Sequence, residues 1–117
     1  MVIAIDFDGT IHDWNNPVPG RQMGPPMPGA RDALRNFKAS RHTIYIFTVR
    51  GGPENRKHVE DWLRYYDIPF DFVTNIKIPA DWYIDDRAIH FTNWVEAQLR
   101  VSNDAPEFRI PTPLENF

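Results

Sequence analysis

The run VIAIDF, from Val2 to Phe7, has the length of one strand and is apolar almost throughout. Such a run suits a parallel strand covered on both faces, where alternation is not needed. Its end carries two carboxylates two residues apart, Asp6 and Asp8, followed by Gly9 and Thr10. The pattern asks for a sheet whose interior is buried and whose strand tip is a polar site. The rest of the chain fits that demand. His42 to Val49 (HTIYIFTV) is a second apolar strand, rich in β-branched and aromatic residues. Between the two, Ala30, Ala33, Leu34 and Phe37 share one helical face. Pro53 suits the first position of another helix, whose buried stripe is Val59, Trp62, Leu63 and Tyr66.

Shorter strands are expected over Phe70–Val73 and Trp82–Ile84, and RAIHF (87–91) reads as a last one. Asn93 and Glu96 have capping-box spacing and open a final helix, with Trp94, Val95 and Leu99 facing inward. Strands alternating with helices define an α/β sandwich with a mostly parallel sheet. At 117 residues the chain holds one small domain. The organisation expected is a core over 1–103, with a Pro/Gly-rich flap loop at 11–28, and a proline-rich tail at 104–117.

Composition excludes several classes. Cysteine is absent, so there is no disulfide scaffold, thiolate zinc site or catalytic thiol. No stretch approaches the roughly 20 apolar residues that span a bilayer. The N-terminus lacks a basic segment leading into an apolar run, so a cytoplasmic protein is expected. The net charge of −3 does not favour nucleic acid as a partner.

Open parallel sheets bind ligands outside the carboxyl ends of their strands. Asp6 and Asp8 follow the first strand, Thr48 and Arg50 the second, and Asp85 and Asp86 close a later one that Lys77 leads into. Carboxylates converging on one edge raise each other's pKa values. A divalent cation resolves that conflict, and hard oxygen ligands favour Mg²⁺. Mg²⁺, a Lys, a Thr hydroxyl and loop amides together suit a phosphoryl group. One carboxylate can then attack phosphorus, and the second can serve the leaving oxygen as acid and the incoming water as base.

In that order, DFDGT, FTVR, Lys77 and YIDD resemble the motifs of the haloacid dehalogenase (HAD) superfamily, over Val2 to Asp86. The resemblance implies a Rossmann-like three-layer sandwich with strand order 3-2-1-4-5. It implies Asp6 as nucleophile, Asp8 as general acid/base, and Thr48 and Lys77 on the phosphate. Mg²⁺ would be held by Asp6, the Asp8 carbonyl and Asp85, with Asp86 direct or through water. An acid at Asp8 is the phosphatase and mutase pattern, which favours phosphoryl chemistry over C–Cl cleavage. Neither Thr10–Pro28 nor Thr48–Lys77 has room for a cap domain. Capless members act on large substrates or close their sites by forming homo-oligomers.

The expected activity is Mg²⁺-dependent phosphomonoester hydrolysis through an aspartyl-phosphate. Gly9 permits the turn and lends the loop to the phosphate. Arg50 and Arg87 either bind substrate phosphate or close salt bridges. A second reading is a nucleic-acid end phosphatase with Arg21, Arg50, Arg56, Lys57 and Arg87 as a basic track. A third is a non-catalytic phospho-acceptor, although receiver domains place their acidic pair first and their Lys last. His12 is expected to be incidental to the site, and Trp14, Trp62, Trp82 and Trp94 to pack in core or flap.

Overall fold

The computed structural model describes residues 1–104. Four strands and three helices follow in the order β1 (Val2–Asp6), α1 (Ala30–Ala39), β2 (Thr43–Phe47), α2 (Pro53–Tyr65), β3 (Phe72–Thr74), β4 (Trp82–Ile84) and α3 (Trp94–Asp104). The chain divides into two compact units, one spanning Met1–Asp86 and the other beginning at Arg87. The first holds the whole sheet. No helix among the described residues is long and apolar enough to cross a membrane.

The sheet is all parallel, in the order β3-β2-β1-β4. β1 lies between two neighbours, as β2 does, and is the strand in which three residues, Ile3, Ala4 and Ile5, are buried in succession. That is why its sequence does not alternate. The register pairs Ile3 with Ile44 and with Trp82, and Ile5 with Ile46 and with Ile84. Leu34 of α1 and Val59, Trp62 and Leu63 of α2 complete a core with Ile3, Ile5, Phe7, Ile44, Ile46 and Val73. Roughly 1.5–3 kcal/mol for each fully buried large apolar side chain makes this cluster the main source of stability.

The expected fifth strand is not formed: 87–91 has no strand pairing among the described residues, so the order is 3-2-1-4. In the expected order a fifth strand would lie beside β4, which is only three residues long. RAIHF also interrupts its apolar residues with Arg and His, which leaves no continuous apolar face to bury. The capping residue of α3 is as expected, with Asn93 Oδ1 accepting from the Glu96 N–H at 2.9 Å. Its apolar residues are not: Trp94, Val95 and Leu99 are exposed. Of the four tryptophans only Trp62 is buried. Residues 105–117, most of the proline-rich tail, lie outside the described residues.

Candidate active site

Parallel strands in register bring their carboxyl ends to one edge. Asp6 pairs with Phe47 and Phe47 with Thr74, while Ile5 pairs with Ile84. The residues that follow each strand therefore meet: Asp8 and Thr10 after β1, Thr48 and Arg50 after β2, Asp85 and Asp86 after β4. Beyond β1 the chain wraps around one carbonyl. Phe7 O accepts from the N–H groups of Ile11 and His12, both at 2.9 Å, and Gly9 N–H donates back to His12 O at 2.9 Å.

One half of the site is an acidic cluster. Asp6, Asp85 and Asp86 each offer an oxygen within 4.8 Å of the others. Thr10 ties the two ends of the cluster together. Its hydroxyl lies 3.2 Å from Asp86 Oδ1 and 3.4 Å from Asp6 Oδ2, and accepts from the Asp86 N–H at 3.0 Å. Gly9, at φ +88°, makes room for this approach, since a Cβ there would lie 2.4 Å from Asp86 Oδ2. Its N–H is already used within the turn, so its contribution here is steric. Burial and the charges of Asp85, Asp86 and Asp8 push the Asp6 carboxyl up to about 7.

The other half surrounds Asp8 and has the opposite character. Arg50 grips that carboxylate with both arms, Nε to Oδ2 at 2.9 Å and Nη2 to Oδ1 at 3.0 Å. His12 Nδ1 lies 2.7 Å from Oδ1. Burial alone would raise this carboxyl, but the hydrogen bonds from His12 and Arg50 outweigh it and hold Asp8 at about 2. The expectation that all the converging carboxylates would be raised is thus corrected at Asp8, because a bidentate guanidinium stabilises its anion. Of the two roles open to Arg50, the structure displays the salt bridge.

Thr48 is buried, and its Oγ1 accepts from the Arg50 N–H at 3.1 Å. A cavity of about 150 Å³ opens beside it, lined by Thr48, Arg50, Gly52, Pro53, Arg56 and Asn75. Lys77 is exposed on the β3–β4 loop, with its ammonium 5.4 Å from the centre of the Tyr83 ring. The expected basic track is exposed at Arg21, Arg56 and Lys57, with Arg21 placed over Tyr65 instead.

His12 is the residue that sequence reasoning missed. It is 2% exposed, stacked on Phe7 and bonded to Asp8, so it is not incidental. Its only signal was the four-residue spacing from Asp8, which gains meaning once the turn around Phe7 O is known. Comparison with solved structures finds a conserved protein from Bacteroides thetaiotaomicron, 25% identical, covering 89% of this chain and 91% of that one, with a TM-score of 0.60. The likeness is one of fold, over nearly the full length of both. No protein-family model matches the chain, and no curated protein does.

Proposed function

We propose that the chain is a Mg²⁺-dependent phosphomonoesterase of the HAD type, capless and Rossmann-like, working through an aspartyl-phosphate on Asp6. The observation that carries this reading is the opposed pair on one strand end: a carboxyl within an acidic cluster, and two residues later a carboxylate held by Arg50 and His12. The donor set of Asp6, Asp85 and Asp86 fits Mg²⁺. All its ligand atoms are hard oxygens, and the Asp6 carboxyl, raised by burial and then by the charges of its neighbours, is one whose anion a divalent cation would stabilise. Bound there, Mg²⁺ would keep Asp6 ionised and offset the charge of a phosphoryl group.

In the reaction proposed, an Asp6 oxygen bonds to phosphorus while the ester P–O bond breaks. The leaving oxygen takes its proton from Asp8. Water then attacks phosphorus, its proton passes to Asp8, and the bond to Asp6 breaks. Asp8 must be protonated for the first step, and Arg50 opposes that. A substrate phosphate that draws the guanidinium toward Thr48 would free Asp8 to take up the proton, which gives Arg50 both of its expected roles in succession. The exposed position of Lys77, on a loop, suits a cation that completes the phosphate site when substrate is present.

The test is hydrolysis of an aryl phosphate by wild type and Asp6→Asn, with and without Mg²⁺. Turnover that needs both Asp6 and Mg²⁺ is the expected result. Full activity in Asp6→Asn would sink the mechanism. Oligonucleotides with terminal phosphates, used in the same assay, decide whether the open site takes polymer ends.

A further inference from the structure

We propose that His12 is a positioning residue, fixed as its Nδ1–H tautomer, that holds the Asp8 carboxylate and ties it to the 11–28 loop. The inference rests on the phosphatase reading for the chemistry Asp8 performs, and on geometry for everything else.

The tautomer follows from the partners of the ring. His12 Nε2 lies 2.8 Å from the backbone N of Gly24. A backbone N–H only donates, so Nε2 must present its lone pair, and the ring proton sits on Nδ1. Nδ1 faces Asp8 Oδ1 at 2.7 Å and donates to it. Both nitrogens are therefore occupied, which leaves His12 no means of binding metal or exchanging protons with substrate. The orientation of the ring is equally constrained. Phe7 stacks on it with centroids 5.1 Å apart at 18°, and Trp62 meets it edge-on at 5.4 Å and 73°.

The far end of this contact is anchored as firmly. Gly24 O accepts from Trp62 Nε1 at 3.0 Å, so hydrogen bonds run from Trp62 through Gly24 and His12 to Asp8. Only glycine fits at the middle of that chain, because a Cβ on Gly24 would lie 1.9 Å from Asp13 O. Neighbouring backbone bonds, Asp13 N to Pro25 O at 2.9 Å and Met27 N to Ile11 O at 2.7 Å, close the loop around it. The 11–28 segment is thus pinned to α2 at one side and to the strand-end aspartate at the other. When Arg50 turns to substrate, His12 remains as the donor that aims Asp8. A histidine fills both parts at once, one nitrogen accepting from the loop and the other donating to the acid.

The test compares kcat/KM of the full-length protein for an alkyl phosphate and for 2,4-dinitrophenyl phosphate. Loss of the leaving group lies within kcat/KM, and dinitrophenolate leaves without a proton while an alkoxide does not. General acid catalysis is worth about 10²–10⁴-fold, so His12→Ala should cost the alkyl ester roughly 10- to 100-fold and the dinitrophenyl ester no more than about 3-fold. His12→Asn, whose amide N–H falls near the place of Nδ1–H, should recover most of the loss. Imidazole ¹⁵N shifts of the histidine-labelled wild type should put the His12 proton on Nδ1. Equal losses on the two esters, no loss on either, or a proton on Nε2 would overturn the positioning role while Asp6-dependent turnover stood. A wild type that hydrolyses neither ester with Mg²⁺ would remove the phosphatase reading, and the role with it.

Discussion

Asp6 and Asp8 share a strand end and are separated only by Phe7, yet their surroundings are opposite. Asp6 faces Asp85 and Asp86 and is raised to about 7; Asp8 faces Arg50 and His12 and is held at about 2. Alternation along an extended chain sends neighbouring side chains to opposite sides, but residues two apart to the same side. The turn around Phe7 O breaks that rule, so the second aspartate leaves the acidic cluster and meets a cation instead. In the proposed reaction these two chemically identical groups take different parts, cation ligand and nucleophile on one side, and proton-handling group on the other. In the metal-free protein the raised group would be the acid, so the proposed roles need Mg²⁺ to ionise Asp6 and a substrate phosphate to draw Arg50 off Asp8.

Breaking the Asp8 side should have the largest effect of the changes that leave Asp6 in place. Asp8→Asn keeps the shape but removes the proton donor, so kcat/KM for an alkyl phosphate should fall by about 10²–10⁴-fold. A dinitrophenyl ester should be cleaved in the first step at close to the wild-type rate, a contrast that burst kinetics would read directly.

Crowding the Asp6 side should cost stability first. In Gly9→Ala the new methyl group meets the Asp86 carboxylate, which Thr10 holds in place, and φ +88° disfavours any Cβ. The left-handed conformation alone costs about 1–2 kcal/mol, so thermal unfolding should move down by several degrees. Mg²⁺ should also raise the melting temperature less than in wild type, because the displaced Asp86 is part of the cluster.

The smallest effect concerns pH without metal. The folded Asp6 carboxyl, at about 7, lies above its ordinary value of 3.8. The fold therefore favours the protonated form, and its contribution is complete below about 4. It is lost as pH rises toward and through 7. Metal-free protein should melt at a lower temperature at pH 8 than at pH 5, by a margin reduced because the group is partly solvated. Mg²⁺ should narrow the difference at pH 8. Asp6→Asn should narrow it without metal, and an unchanged gap in that variant would mean another group is responsible.

Much of the scaffold was legible in the residues. The unbroken apolar run of β1 and the helical stripes of α1 and α2 follow from burial and period, and the structure has them where expected, with the acid pairs at the ends of β1 and β4. What stayed hidden depended on contacts distant in sequence. Nothing local says that Arg50 closes on Asp8 across 42 positions, or that His12 accepts from Gly24. The fifth strand, expected from the length of RAIHF, is not formed among the described residues, where Arg87 and His90 interrupt the apolar face it would have to bury. Trp94, Val95 and Leu99 likewise have a helical period, and period alone does not determine what covers a face.

The most direct test of the divided pair is to follow where phosphorus goes. Protein mixed with a phosphate ester and Mg²⁺, quenched in acid and digested, should carry phosphate on the peptide containing Asp6. Asp8→Asn should accumulate more of it, because the water that clears the intermediate has lost its base. Phosphate on another residue, or equal turnover with none on Asp6, would contradict the account.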